Sequence, residues 1–303
     1  MKKAILLSLI TSLQIGSLAA NTAVREWQYL DGKKFQALVL DWNSETDVVT
    51  LANDAGEKSE VKRMELSLSD QAYVRQWFTH REKLDAKLTE MGGGLEFKQT
   101  TGKYTIDYYV YKPSSYVADG SAPMMILFSS SGTGYRMMLR HFEAAEKAGL
   151  VLVTADYFSN HTFDFYNKKG LRKVSEDHFR EMLPQLEVIS HDPSRVYLGG
   201  DSGGALRAYF YSAVIERPWA GIYANGGWLA RDYTMQCREG MRVAMVNGHK
   251  DHGAIAFTKP DTDYLSEKRG CEVALFSFEG GHQLATTDAQ LEAFEWLLGK
   301  EGE

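Results

Sequence analysis

The chain reads Arg195-Val196-Tyr197-Leu198-Gly199-Gly200-Asp201-Ser202-Gly203-Gly204-Ala205-Leu206 where an apolar, strand-like run meets a helical pattern. This segment contains Gly-x-Ser-x-Gly between a predicted strand and a predicted helix. Glycines two residues before and after Ser202 allow a turn that is too sharp for larger side chains, and the turn exposes the serine hydroxyl. The backbone N–H of Gly203 and the N-terminus of the helix point toward the same place. We therefore predict that Ser202 is a nucleophile and that Gly203 stabilises a developing oxyanion.

Strand-like and helical segments alternate from Tyr104 toward the end of the chain. The predicted strands are Tyr104–Tyr111, Met124–Phe128, Leu150–Ala155, Arg195–Leu198, Gly221–Ala224, Arg242–Val246 and Val273–Phe278. The predicted helices are Met137–Ala148, Ser175–Ile189 and Ala205–Ile215. Such alternation indicates an α/β fold in which a mostly parallel sheet carries helices on both faces. Functional side chains in such folds lie beyond the carboxyl ends of the strands.

Two later strands end in residues that suit a partnership with Ser202. Asp251 follows Arg242–Val246, and His282 follows Val273–Phe278 after two glycines. An imidazole at this place accepts the serine proton and returns it to the leaving group, while a carboxylate holds the imidazole in the required tautomer. We therefore predict a triad of Ser202, Asp251 and His282. The alternatives for the acid are Asp232, Asp261 and Asp263.

The remaining candidate site residues lie on loops after other strands. Small residues follow Met124–Phe128, and they would let backbone N–H groups approach a substrate. We predict the second oxyanion donor to be Ser130, with Ser131 as the alternate. Aromatic side chains after two further strands either line the substrate site or pack in the core. The aromatic residues predicted to bind substrate are Trp228, Tyr157 and Phe158.

Residues from about 100 to 298 resemble an α/β-hydrolase, nearest to secreted esterases of the feruloyl-esterase and polyhydroxybutyrate-depolymerase type. The resemblance rests on Asp192-Pro193-Ser194-Arg195-Val196-Tyr197 before the nucleophile, on Gly248-x-x-Asp251 and on the late Gly281-His282. It implies an α/β-hydrolase domain at residues 99–303. With the triad, it predicts a serine esterase that needs no cofactor and acts on a small-molecule or polymer-linked ester. A serine peptidase on the same fold is an alternative.

Residues 22–80 read as short strands joined by tight turns and then a helical pattern, which predicts a small β-barrel. A helical, glycine-containing linker is predicted at residues 81–98. The N-terminal unit resembles the first Sla homology domain, a small Src-homology-3-like (SH3-like) barrel. The matching positions are Arg25/Trp27, Asp31-Gly32, Phe35/Ala37, Val49/Leu51, Leu68-Ser69 and Tyr73-Val74. The resemblance implies a short peptide as a partner, so a catalytically silent binding protein is a further alternative.

The charge balance limits the classes of partner. The 303 residues include 34 Lys and Arg against 40 Asp and Glu, a net charge of −6. Such a chain offers no basic surface to nucleic acid. Metal binding is not expected. His249, Asp251 and His252 would place three ligands on one exposed turn, and the sequence offers no separate fourth ligand for them.

The first twenty residues predict the compartment. Lys2-Lys3 precedes an apolar stretch from Ala4 to Ile15, and small residues follow up to Ala20, as in a secretory signal peptide. No later apolar run is long enough to predict a membrane span. We expect residues 1–20 to be a signal peptide that directs the protein to the periplasm or out of the cell. In an oxidising compartment Cys237 and Cys271 are predicted to form a disulfide, the alternative being two unpaired buried thiols.

Overall fold

The computed structural model describes residues 25–53, 57–104, 106–131, 134–158, 170–229 and 238–300. The predicted signal peptide and Cys237 lie outside these residues, so export and the disulfide stay predictions. The partner cysteine, Cys271, is buried. No helix in the described ranges has the length and apolar character needed to cross a membrane.

Two sheets and six α-helices make up most of the described structure, with one short 3-10 helix at Arg63–Glu65. The first sheet contains β1 (Arg25–Gln28), β2 (Lys34–Asn43), β3 (Val48–Ala52) and β4 (Lys58–Lys62). The second contains β5 (Gly94–Gln99), β6 (Asp107–Lys112), β7 (Met124–Phe128), β8 (Val151–Ala155), β9 (Val196–Asp201), β10 (Trp219–Asn225), β11 (Arg242–Gly248) and β12 (Glu272–Phe278). The helices are α1 (Leu68–Met91), α2 (Gly134–Ala148), α3 (Leu171–Leu186), α4 (Gly203–Val214), α5 (His252–Arg269) and α6 (Thr287–Leu298).

The N-terminal strands pair antiparallel in the order β1-β2-β3-β4. Trp27 is fully buried in this unit, and its indole N–H donates to the carbonyl oxygen of Ala37 at 2.9 Å. Tyr29, just after β1, forms an isolated bridge with Leu66, which lies beyond β4. The structure therefore shows a small antiparallel sheet here. The closed SH3-like barrel and its peptide ligand stay predictions.

The structure differs from the linker predicted at residues 81–98. Helix α1 continues to Met91 and ends at Gly92, whose φ of 79° is left-handed. Strand β5 follows almost at once and pairs antiparallel with β6 as the edge of the large sheet. Leu95 and Phe97 alternate into the core, while Glu96 lies between them and pairs with Lys98 at 2.9 Å. The large sheet therefore begins within the predicted linker.

The large sheet has eight strands in the order β12-β11-β10-β9-β7-β8-β6-β5. The strands from β12 to β8 in this order are parallel. At one edge β6 pairs antiparallel with β8, and β5 pairs antiparallel with β6. Alternate side chains of β7 enter two cores: Ile126 faces the core shared with α3 and α4, and Leu127 faces the core shared with α2 and α6. This confirms the predicted mostly parallel sheet with helices on both faces.

The turn between β9 and α4 packs tightly against the end of β7. A methyl group at either Gly200 or Gly204 would collide with the backbone carbonyl oxygen of Phe128. At Gly200 it would also meet the backbone of Gly204. Both positions therefore require glycine for steric reasons, and these glycines allow the first turn of α4 to approach the centre of the sheet.

We predict that Gly204→Ala lowers the free energy of unfolding by about 1–3 kcal/mol, because backbone must move to admit the added methyl group. Urea unfolding of the purified variant measures this change. Gly94→Ala is the matched control, since a Cβ at Gly94 would meet nothing within 4 Å. Equal stability of the two variants would contradict the close approach of α4 to β7.

Candidate active site

Ser202 occupies a strained turn at the carboxyl end of β9. Its φ of 49° and ψ of −117° place a non-glycine residue outside the ordinary regions, at a cost of about 1–3 kcal/mol. The Ser202 N–H donates to the carbonyl oxygen of Asn225 at 2.8 Å, which holds the turn against the end of β10. Such strain persists only where the surrounding structure enforces it, and here it directs the hydroxyl away from the sheet.

The Ser202 hydroxyl, the His282 ring and the Asp251 carboxylate form a hydrogen-bonded line. His282 Nε2 lies 2.9 Å from Ser202 Oγ, and His282 Nδ1 lies 2.7 Å from Asp251 Oδ2. The Asp251 side chain is 3% exposed, whereas the His282 side chain is 45% exposed. The imidazole is thus open to solvent on one side and held by a buried acid on the other.

The alternative acids have other partners. The remaining oxygen of Asp251 accepts the Ala254 N–H at 3.1 Å and so caps the N-terminus of α5. Asp261 accepts the Leu229 N–H at 2.7 Å, and Asp263 pairs with Lys259 at 2.8 Å. The fourth candidate, Asp232, lies outside the described residues. The structure therefore places Asp251, and neither Asp261 nor Asp263, against His282.

The loop that carries His282 is fastened to the sheet. The Asn225 side chain, 1% exposed, donates to the carbonyl oxygen of Gln283 at 3.2 Å and accepts the Ala285 N–H at 2.8 Å. A methyl group at Gly248 would collide with carbonyl oxygens of Gly280 and its neighbour, so the end of β11 and the histidine loop touch through backbone. These contacts fix the position of the His282 loop relative to the end of β11, after which Asp251 follows.

The oxyanion donors predicted from sequence have different outcomes. Gly203 is the first residue of α4. Its N–H therefore lies at the helix N-terminus and has no carbonyl partner within the helix. Ser130 instead donates its N–H to Asp201 Oδ1 at 3.0 Å and its hydroxyl to Asp201 Oδ2 at 2.7 Å. The structure therefore contradicts Ser130 as an oxyanion donor, because Asp201 already occupies that N–H. The alternate, Ser131, donates its N–H to Ser129 Oγ at 3.2 Å.

The three predicted aromatic residues separate into different environments. Phe158 is fully buried and packs edge-on against Phe128 with ring centroids 5.3 Å apart, so its assignment to the substrate site is wrong. Tyr157 is half-buried and stacks on His178 at 4.0 Å. Its contact with substrate stays a prediction. Trp228 lies edge-on to His282, with ring centroids 5.8 Å apart, and therefore borders the site.

A half-buried acid also lies at this edge of the sheet, directly after β8. Asp156 accepts the Tyr109 hydroxyl at 2.8 Å and the Gly134 N–H at 2.7 Å. Burial raises the pKa of the Asp156 carboxyl to about 7. The carboxyl therefore anchors the start of α2, the helix that follows the serine-rich loop. In the described part of the chain, no cluster of three or more His, Cys, Asp or Glu side chains suits a metal ion.

Sequence reasoning missed several supporting residues. Asn225 and Asp201 are the last residues of β10 and β9, and a polar residue at the carboxyl end of a strand is a signal for both. The partners of Trp228 on α5 were also missed. A spacing of four along that helix, in Gly253, Phe257 and Asp261, is the pattern that indicates one shared face.

No protein-family model matches the chain, and no curated protein matches it in sequence. Solved structures do match. Esterase 2 of Thermogutta terrifontis has a TM-score of 0.52 and 16% identity, covering 69% of this chain and 95% of its own. The S-formylglutathione hydrolase of Staphylococcus aureus has a TM-score of 0.53 and 12% identity, covering 68% and 97%. A ferulic acid esterase has a TM-score of 0.52 and 13% identity, covering 67% and 96%.

At these identities the likenesses show a shared fold. They cover about two thirds of this chain and nearly the whole of each matched structure. This chain itself has a mostly parallel eight-stranded sheet with helices on both faces. The chain therefore contains the α/β-hydrolase fold that its sequence predicts.

Proposed function

We propose that the protein is a serine hydrolase that cleaves a carboxylic ester through an acyl-enzyme intermediate, with Ser202, His282 and Asp251 as its catalytic residues. One observation carries the proposal: the Ser202 hydroxyl at a strained turn lies 2.9 Å from His282 Nε2, whose opposite nitrogen lies 2.7 Å from buried Asp251. A serine beside a base, with the base oriented by a third group, is the arrangement that activates a hydroxyl nucleophile.

Acylation uses each of these contacts. Ser202 Oγ attacks the ester carbonyl carbon while His282 Nε2 takes the hydroxyl proton. The carbonyl oxygen becomes an oxyanion, which the Gly203 N–H and the N-terminus of α4 stabilise. The bond from carbon to the leaving oxygen then breaks, and His282 gives its proton to that oxygen. The products are a free alcohol and an acyl group on Ser202.

Deacylation reverses the roles with water. His282 takes a proton from water, and the resulting hydroxide oxygen attacks the acyl carbon. The bond to Ser202 Oγ breaks, and the proton returns to the serine. Asp251 stays ionised throughout and stabilises the imidazolium that forms twice in the cycle. Its burial and its hydrogen bond to the Ala254 N–H hold it in one orientation.

The choice of an ester rests on the structural neighbours and the resemblance of the sequence. Their names describe esterases, a ferulic acid esterase and an S-formylglutathione hydrolase. We infer that this chain acts on small-molecule or polymer-linked esters. We also propose that it is exported, on the strength of the leader pattern in residues 1–20.

We predict that an active-site phosphonate labels the wild-type protein at one residue, Ser202, and that Ser202→Ala abolishes the label. Intact-mass and peptide mass spectrometry measure both results. Circular dichroism of the variant shows whether it is folded. A folded wild-type protein that stays unlabelled would contradict a catalytic serine. A labelled protein that cleaves peptide amides faster than esters would favour the peptidase alternative.

We predict that Asp251→Asn keeps the fold but lowers kcat by up to about 10⁴-fold, because the amide favours the wrong imidazole tautomer. Ester hydrolysis by the purified variant tests this. Asp263→Asn is the control, since Asp263 pairs with Lys259 at the surface. If both variants keep wild-type kcat, Asp251 does not orient the catalytic histidine.

A further inference from the structure

The segment Gly226–Leu229, which follows β10, is held against one face of α5. Gly253, Phe257 and Asp261 are spaced by four residues and therefore share that face of the helix. Each of the three contacts the segment. Gly253 and Phe257 contact Trp228, and Asp261, one turn further along the helix, contacts Leu229. This face therefore supports both the ring of Trp228 and the backbone that follows it.

The Trp228 ring contacts both α5 and the histidine proposed as the base. It stacks on Phe257 with ring centroids 5.6 Å apart and an interplanar angle of 7°. A methyl group at Gly253 would lie 3.3 Å from Cη2 of Trp228, so the glycine leaves room for the ring edge. The ring also meets His282 edge-on, with centroids 5.8 Å apart. The orientation of Trp228 relative to His282 is thus set by α5.

Asp261 provides the polar contact on this face. The residue is fully buried, and its Oδ2 accepts the Leu229 N–H at 2.7 Å. Its Oδ1 makes no hydrogen bond within the described ranges. Burial raises the pKa of the Asp261 carboxyl to about 6. A buried carboxyl with one unsatisfied oxygen is costly, and its one hydrogen bond fixes the backbone directly after Trp228.

Close backbone packing restrains the other side of the segment. A methyl group at Gly226 would lie 3.3 Å from Asp251 Oδ2 and 3.4 Å from His282 Nδ1. At Gly227 it would collide with the side chain of Ala205 on α4. The segment is therefore confined between the catalytic residues and α5. A change in the Leu229 contact has little room to be absorbed without moving Trp228.

We propose that Asp261 is a positioning residue that holds Trp228 beside His282 as the wall for the leaving alcohol of the ester. This inference rests on the proposed function. His282 must deliver a proton to the leaving oxygen, so the alcohol portion of the substrate lies on the His282 side of the scissile bond. The ring that borders His282 there is Trp228. An apolar, flat alcohol portion packs best on such a ring.

The test compares benzyl acetate with ethyl acetate, whose leaving alcohols are of similar acidity, by pH-stat measurement of kcat and KM. We expect the wild-type protein to favour the benzyl ester. Trp228→Ala and Asp261→Leu should each reduce the benzyl-to-ethyl ratio of kcat/KM by about two- to tenfold, the size of one aromatic contact. Asp261→Asn keeps an acceptor oxygen for the Leu229 N–H and should retain the ratio.

The double variant separates positioning from general loss of structure. If Asp261 acts through Trp228, Asp261→Leu should change the ratio no further in a Trp228→Ala background. Asp263→Asn should match wild type. Three results would overturn the inference. The first is an equal loss of activity toward both esters in Asp261→Leu, and the second is additive effects in the double variant. The third is a wild-type protein that cleaves neither ester, or that cleaves both with the same kcat/KM. Phosphonate labelling of Ser202 is scored separately: a labelled protein with an unmoved ratio refutes the Trp228 wall alone, whereas an unlabelled wild type refutes the catalytic serine.

Discussion

The carbonyl oxygen of Phe128 leaves no room for a side chain at Gly200 or Gly204. This contact brings the first turn of α4 against the centre of the sheet, and the residue between the two glycines, Ser202, is forced into a positive φ. The strain is local, but its consequence is general. The serine hydroxyl and the helix N-terminus reach the same point at the carboxyl edge of the strands.

The other functional groups reach that point because parallel neighbouring strands end there. Strands β9, β10 and β11 lie side by side, with β12 at the edge, and the loops after them carry the serine, Trp228, the acid and the histidine. Asn225 joins them physically: its backbone oxygen accepts the Ser202 N–H, and its amide binds the loop of His282. One buried residue, through its backbone and its side chain, therefore links the nucleophile turn to the loop of the base.

Four acids near this edge differ only in what surrounds them. Asp251 faces His282, Asp201 binds the N–H and hydroxyl of Ser130, Asp156 anchors the start of α2, and Asp261 holds the backbone after Trp228. All are aspartates at or near strand ends or helix starts, apart from Asp261, which lies inside α5. A carboxylate takes its role from the donors that reach it, since its own chemistry is the same at each site.

Local pattern determined much of this protein. Continuous apolar runs located β7 to the residue and placed β8 to β12 closely, because a buried parallel strand is a continuous apolar segment that can be found from local sequence alone. Glycine spacing identified the turn at Ser202, since the residues that form the turn lie within five consecutive positions. The order of strands along the chain then predicted Asp251 and His282 as its partners, which the structure brings together.

Tertiary structure alone decided which groups meet across long separations in the chain. Ser130 lies 71 positions from Asp201, and only the adjacency of β7 and β9 lets the carboxylate take its N–H. Phe158 is in the core because α3 and α4 cover it, and β5 joins the large sheet because β6 offers it a free edge. Sequence patterns report which face of an element is apolar. They do not report which hydrogen-bonding group of another element lies next to a given carboxylate. In the folded chain that group is the His282 ring for Asp251 and the Leu229 N–H for Asp261.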